Sequence, residues 1–73
     1  MSWNIRIVRD KTPDGTEYYS AREVFYNPDG SIYAYTLEPI DVSDDNLEDL
    51  QEYVHHILRA FGKDILNAWE LPK

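Results

Sequence analysis

The chain has 73 residues and no cysteine, and its 14 acidic and 7 basic side chains give a formal charge of −7. This length allows one domain, residues 1–73, with a small core, and the lack of cysteine excludes a disulfide framework and a thiolate metal site. The acidic charge argues against direct binding to a nucleic-acid backbone, while the absence of a membrane-length apolar run or a secretory N-terminal pattern predicts a cytoplasmic protein.

The first part of the chain predicts a β-hairpin. Trp3, Ile5 and Ile7 alternate with other residues, which indicates a strand with one apolar face. A second strand pattern covers about residues 17–26. Between them, residues 12–15 read Thr-Pro-Asp-Gly, in which proline suits the second position of a type I turn and glycine the left-handed position after it. We therefore expect a G1 bulge at the glycine.

Nearly the same turn recurs as Asn-Pro-Asp-Gly at residues 27–30. A third strand is expected from about 31 to 37, because Pro39 limits its extension. Counting outward from both turns gives the cross-strand partners, which share one face of the sheet. These predicted pairs are Ile7–Ala21, Ile5–Glu23, Trp3–Phe25, Phe25–Tyr33, Glu23–Tyr35 and Ala21–Leu37.

The two faces of this three-stranded sheet differ. One is apolar and is expected to lie under a helix, whereas the opposite face is mixed. Because one helix cannot cover both faces, the second face must meet the C-terminal tail, a second subunit or a partner. A slip of one residue would exchange the faces. The second face contains Val24, Tyr26, Ile32 and Ala34, flanked by Arg6 and Arg22.

The segment from residue 42 to residue 62 has the one long helical pattern of the chain. Its apolar side chains recur at intervals of three and four, which predicts an α-helix over about residues 43–61. Ser43 suits the N-cap, and Gly62 suits a left-handed residue after the helix end. We expect the sheet to use up the whole apolar stripe. The stripe consists of Leu47, Leu50, Val54, Ile57, Leu58 and Phe61.

The start of this helix is strongly acidic, which suits the helix dipole. Its carboxylates form a candidate surface for a basic protein, or a mimic of nucleic acid. The alternative is a solvated face that keeps a small protein soluble. The acidic residues are Asp44, Asp45, Glu48, Asp49 and Glu52.

Residues 63–73 are too apolar for a free tail. They could form a short helical turn over 64–70 or run extended along the sheet. Trp69 and Leu71 would then either pack as a lid over an edge of the core or dock into another molecule.

Candidate chemical sites are few. Glu23 falls on the apolar face, where a buried carboxylate needs a partner, such as Tyr35, to avoid a raised pKa. The favoured interpretation is a structural hydrogen bond, or a bulge that turns Glu23 to solvent. His55 and His56 point about 100° apart on a helix and cannot share a metal ion well. No nucleophile has a nearby base, and a pocket of ~300 Å³ or more is not expected. We predict no enzyme and no cofactor.

The strings W-N-x-R-I-V at residues 3–8 and E-V-x-Y-N-x-D-G at residues 23–30 precede a Thr–Pro stretch at 36–39 and a helix ending near L-x-A at 58–60. This pattern resembles a group of short uncharacterised bacterial proteins without an established activity. The resemblance implies a bacterial or phage origin. One departure is the absence of a proline soon after the helix, where Lys63 begins the tail.

Together these patterns predict an α+β fold, a three-stranded antiparallel meander of order 1-2-3 with one helix on one face. The expected function is a small, non-enzymatic interaction module for a protein partner or a homodimer, without nucleic-acid or membrane binding. It would use the helix-free sheet face or the tail. The alternative is an acidic inhibitor or nucleic-acid mimic acting through the helix. The residues predicted to bind the partner are Arg6, Arg22, Val24, Tyr26, Ile32 and Trp69.

Overall fold

The computed structural model describes residues 2–72 and has one helix beside a mixed four-stranded sheet. The sheet order is β3-β2-β1-β4, with β1, β2 and β3 antiparallel and β4 parallel to β1. The α+β class is confirmed, but the prediction of a purely three-stranded antiparallel sheet is not matched exactly, because the tail adds a fourth, parallel strand. No helix in residues 2–72 is long and apolar enough to cross a bilayer. The elements are β1 (Ser2–Lys11), β2 (Glu17–Tyr26), β3 (Ile32–Tyr35), α1 (Leu47–Ala60), β4 (Leu66–Asn67) and a 3-10 turn (Ala68–Glu70).

The first hairpin has the predicted register, including Ile7 opposite Ala21. Gly15 has a φ of 90°, and its N–H donates to the Thr12 carbonyl at 2.9 Å. The Asp14 carboxylate accepts hydrogen bonds from the Thr12 hydroxyl and the Thr16 backbone N–H. These bonds favour the charged carboxylate and lower the pKa of Asp14 to about 2.

The second hairpin has the same turn but a different register. Gly30 has a φ of 89°, and Tyr26 lies opposite Ile32 as predicted. A bulge at Tyr33 then shifts the pairing by one residue, so that Tyr35 lies opposite Val24 instead of Glu23. The predicted partners of Tyr33, Tyr35 and Leu37 are therefore wrong, and the Ala21 carbonyl accepts instead from the Ile40 N–H at 2.9 Å.

This bulge exchanges the predicted faces of Tyr35 and Ala34. Tyr35 moves to the helix-free face, where the Arg22 guanidinium carbon lies 5.9 Å from its ring centroid. The small Ala34 takes the place opposite Phe25, on the helix side. The shift therefore places the larger Tyr35 ring beside Arg22 and the small Ala34 side chain on the helix side.

The helix begins later than predicted, with Asn46 and not Ser43 as its N-cap. The Asn46 side-chain oxygen accepts from the backbone N–H groups of Glu48 at 2.8 Å and Asp49 at 3.3 Å. Ser43 belongs to the preceding loop, in which its N–H donates to the Asp41 carbonyl. Both candidates have a suitable side chain, but only Asn46 stands directly before the backbone groups that need an acceptor.

The end of the helix also differs from the prediction. Gly62 is absent from the residues with positive φ, so it does not adopt a left-handed conformation. Its N–H donates instead to the Arg59 carbonyl at 3.0 Å, which tightens the last turn into a 3-10 form.

The core beneath the helix is small. Ile5 and Ile7 of β1 are buried against Ala60, which is 1% exposed and lets the helix lie close to the strand. Around this cluster pack Ala21, Ile40, Tyr53 and Ile57. The helix therefore packs against the sheet through Tyr53, Ile57 and Ala60. Only part of the predicted stripe faces the sheet.

The tail pairs with β1 along the edge of that strand not occupied by β2. Leu66 and Asn67 pair with Val8 and Arg9, and the Arg6 guanidinium donates to the Asp64 carbonyl at 2.7 Å. The 3-10 turn follows at once. Both predicted forms of the tail therefore occur, first an extended pair of residues and then a short turn.

Candidate interaction surface

The helix-free face contains a buried arginine. Arg22 is 2% exposed, and its guanidinium donates to the carbonyl oxygens of Thr36 at 3.3 Å and Leu37 at 2.7 Å. Such bonds satisfy most of the polar atoms of this buried cation. Further partners are the Ser20 hydroxyl at 3.0 Å, the Tyr18 hydroxyl at 3.4 Å and the Asp10 carboxylate at 3.5 Å.

The apolar part of this face is covered by side chains of the same chain. Val24 is 0% exposed and has Tyr35 beside it in the sheet. Tyr26 is half-buried, and its hydroxyl donates to Asn4 at 2.7 Å while it accepts from Arg6 at 3.2 Å. The sheet therefore closes this face with long side chains whose polar ends bond to one another.

The six residues predicted to bind a partner are consequently not one exposed surface. Arg22 and Val24 are buried, and Arg6, Tyr26 and Ile32 are partly buried. Trp69 is 50% exposed but lies in the tail turn, where the Lys11 ammonium is 4.7 Å from its ring centroid.

An exposed apolar surface lies instead on the helix. Three large side chains of α1 and that of Phe61, its C-cap, follow one another at intervals of seven, four and three residues, which places them on one line along the helix. We call this line the helix ridge. It consists of Leu47, Val54, Leu58 and Phe61, which are 79%, 45%, 65% and 68% exposed.

The ridge continues onto the sheet. Ile57 and Phe61 share a groove of about 160 Å³ with Ile7, Ala21 and the 57%-exposed Tyr19. The prediction that the sheet would use up the stripe is wrong, because the apolar arc of α1 is wider than its contact with β1. A signal was present in the sequence, since Tyr53 and Ala60 extend the arc beyond the predicted stripe.

A second feature is an open cleft of about 620 Å³ beside Glu23, larger than expected for so small a sheet. Burial raises the pKa of Tyr53, and the nearby charges of Glu23 and Asp41 add to the effect. Glu23 is only partly buried, and Tyr35 is on the other face. The lining residues are Glu23, Thr36, Leu37, Glu38, Pro39, Ile40 and Tyr53, which include no nucleophile with a histidine base.

The histidines form no site with other ligands. His55 and His56 are both exposed, and no three metal-ligating side chains converge within residues 2–72.

All five carboxylates of the predicted acidic face are exposed. The ion pair found in the described part of the chain joins Arg22 to Asp10, so none of the five is neutralised there by a basic side chain. The acidic face is Asp44, Asp45, Glu48, Asp49 and Glu52.

Comparison of the chain with protein-family models, with curated proteins and with solved structures gave no match. The resemblance to short bacterial proteins therefore stays a prediction. What the chain can bind is inferred from its own surfaces.

Proposed function

We propose that this protein is a small, non-enzymatic interaction module that binds another polypeptide through the helix ridge. The observation that carries the proposal is the exposure of four large apolar side chains on one line along α1 and its C-cap. Single exposed apolar residues are normal on protein surfaces, but a contiguous apolar patch is typical of a binding site.

The geometry suits a helical partner. Apolar residues spaced by three, four and seven pack into the grooves of a second helix. The groove between Phe61 and Tyr19 would receive a side chain of that partner at one end of the ridge. Aromatic anchors such as these two are enriched among the residues that dominate binding energy.

A capture experiment with two matched variants tests this function. Leu58→Glu places a charge in the ridge, whereas Leu37→Glu makes the same change at a 76%-exposed leucine outside α1. Each chain is immobilised and exposed to a cell extract supplemented with the untagged wild-type chain. We expect polypeptides that the wild type and Leu37→Glu retain and that Leu58→Glu loses.

Circular dichroism should show the same fold for all three chains, because both leucines are largely exposed. If the three chains retain the same polypeptides, or none of them retains any, the ridge is not a binding surface and the proposal fails.

A second candidate function is supported by the exposed, unneutralised acidic face. It would meet a basic protein surface, as an inhibitor or a mimic of nucleic acid does. Replacement of Glu48, Asp49 and Glu52 by lysine should then abolish capture, and salt should weaken capture by the wild type because exposed charges are screened.

The control for this variant changes the same net charge elsewhere on the surface. Lysine at the exposed positions Glu17, Glu38 and Asp64 serves this purpose. Equal loss of binding in both triple variants would show an effect of net charge alone and would contradict an acidic binding face.

A further inference from the structure

We infer that the polypeptide bound by the helix ridge is a second copy of this chain, with the two α1 helices antiparallel about a twofold axis at Val54. This inference rests on the proposed function, because it names the partner of the same surface. Three properties of the described chain support it: its excess surface, the symmetry of the ridge and the charges at the helix ends.

The chain exposes more surface than its mass requires. Its accessible surface is 5416 Å², whereas a compact monomer of this mass exposes about 4,700 Å². The excess of about 700 Å² is close to the ~800 Å² that each partner buries in a standard interface. The radius of gyration, 13.0 Å, likewise exceeds the ~11 Å expected for a compact domain of this length.

The ridge is also self-complementary. Leu47 and Phe61 each lie seven residues from Val54, so an antiparallel copy brings Leu47 of one chain to Phe61 of the other. In the same alignment Leu58 meets the partly buried Leu50 beside the ridge, since each lies four residues from Val54. A twofold interface requires this property, because every contact must occur twice with the two chains exchanged.

The charges of the helix favour the antiparallel direction. Asp44, Asp45 and Glu48 stand at its N-terminal end, and Arg59 and Lys63 at its C-terminal end. Antiparallel pairing sets the acidic end of one copy at the level of the basic end of the other and aligns the helix dipoles favourably. Parallel pairing would bring two acidic ends together, which like-charge repulsion opposes.

The first measurement is the mass in solution by sedimentation equilibrium, from low micromolar to millimolar chain concentration. The wild type should rise from 8.6 kDa to twice that mass. Leu58→Glu should weaken the dimer at least tenfold, and Leu37→Glu should leave it unchanged. A dimer that Leu58→Glu does not weaken would overturn the inference, because its interface would lie elsewhere.

Disulfide cross-linking tests the direction of the helices. The natural chain has no cysteine, so a single introduced thiol reports on one position. Val54→Cys should form a cross-linked dimer on mild oxidation. Leu47→Cys should not, because 14 residues of helix separate the two thiols by ~21 Å in the antiparallel pair. Cross-linking of both variants would indicate parallel helices and overturn the proposed arrangement.

A mixture of Leu47→Cys and Phe61→Cys should give mainly the mixed dimer, which is the positive control for that pair. A chain that stays monomeric at millimolar concentration overturns the second copy as partner. If the monomer still captures another polypeptide through Leu58, the interaction function stands and only the identity of the partner is wrong. If it captures none, both proposals fail.

Discussion

The two faces of the sheet bury their apolar residues in different ways. On the helix side, Ile5 and Ile7 are buried by contact with Ala60 and a few neighbours. On the opposite side, Val8 and Val24 are fully buried although α1 lies on the other face. This face is closed without α1, in part by the long side chain of Arg22, whose guanidinium donates to the backbone carbonyls of Thr36 and Leu37.

This difference explains where the proposed binding surface lies. The face that lacks a helix is closed by Arg22 and its partners, so it offers little for another protein. On the other face, only one side of α1 contacts the sheet, because the helix packs there through Ala60, Ile57 and Tyr53. The remaining apolar side chains of α1 point outward, and the surface available to a partner is on the element that builds the core.

The largest expected effect is on the helix-free face. Arg22→Ala should lower the free energy of unfolding by about 3–5 kcal/mol, because it leaves the partners of a buried charge without their donor. Arg9→Ala is the control. Arg9 is partly exposed and lies 5.5 Å from the Tyr19 ring centroid, so its loss should cost about 0.5–1 kcal/mol. Urea denaturation measures both, and equal losses would show that Arg22 does not hold this face together.

A smaller effect compares two valines, one on each side of the molecule. Val24→Ala should cost about 2 kcal/mol, because Val24 is fully buried. Val54→Ala should cost less than about 0.5 kcal/mol at concentrations where the chain is monomeric, because Val54 is 45% exposed there. Denaturation at low and high chain concentration checks both values. If Val54→Ala lowered the free energy of unfolding of the monomer as much as Val24→Ala does, the ridge would belong to the core.

The smallest effect concerns the pH dependence of the helix side. Because burial and the charges of Glu23 and Asp41 raise the pKa of Tyr53, the folded state holds the phenolic proton more tightly than the unfolded state does. The stability from this group is fully present below the ordinary tyrosine pKa of about 10. It is lost as the pH rises through the pKa of the folded state.

Tyr53→Phe should therefore flatten the fall in stability at high pH, and Glu23→Gln should lower the pKa of Tyr53. Carbon NMR of labelled tyrosine measures that pKa directly. An unchanged value in Glu23→Gln would show that Glu23 does not act on Tyr53.

The sequence predicted the local elements well. The type and approximate place of the helix and of three strands follow from the spacing of apolar residues, and the register of the first hairpin follows from its turn at Gly15. The second hairpin departs from the register that its turn predicts. Its turn at Gly30 has the same conformation, yet the bulge at Tyr33 overrides the register because Tyr35 packs over Arg22 and not beneath the helix.

The helix ridge and the fourth strand depend on contacts between distant parts of the chain. The amphipathic spacing of α1 indicated an apolar stripe, and nothing local shows how much of a stripe a given strand will cover. That is decided by the rotation of the helix that brings the small Ala60 onto Ile5 and Ile7. The pairing of Leu66 with Val8 likewise joins residues 58 positions apart.

The sequence by itself thus determined the turns, the first three strands, the helix and its acidic start, because backbone preference and side-chain periodicity act over a few residues. The tertiary structure alone decided that Arg22 is buried, that the tail joins the sheet and that the outer apolar line of the helix is exposed. These features depend on which side chains meet across the fold, where packing and hydrogen bonding of distant residues choose between arrangements that local patterns allow equally.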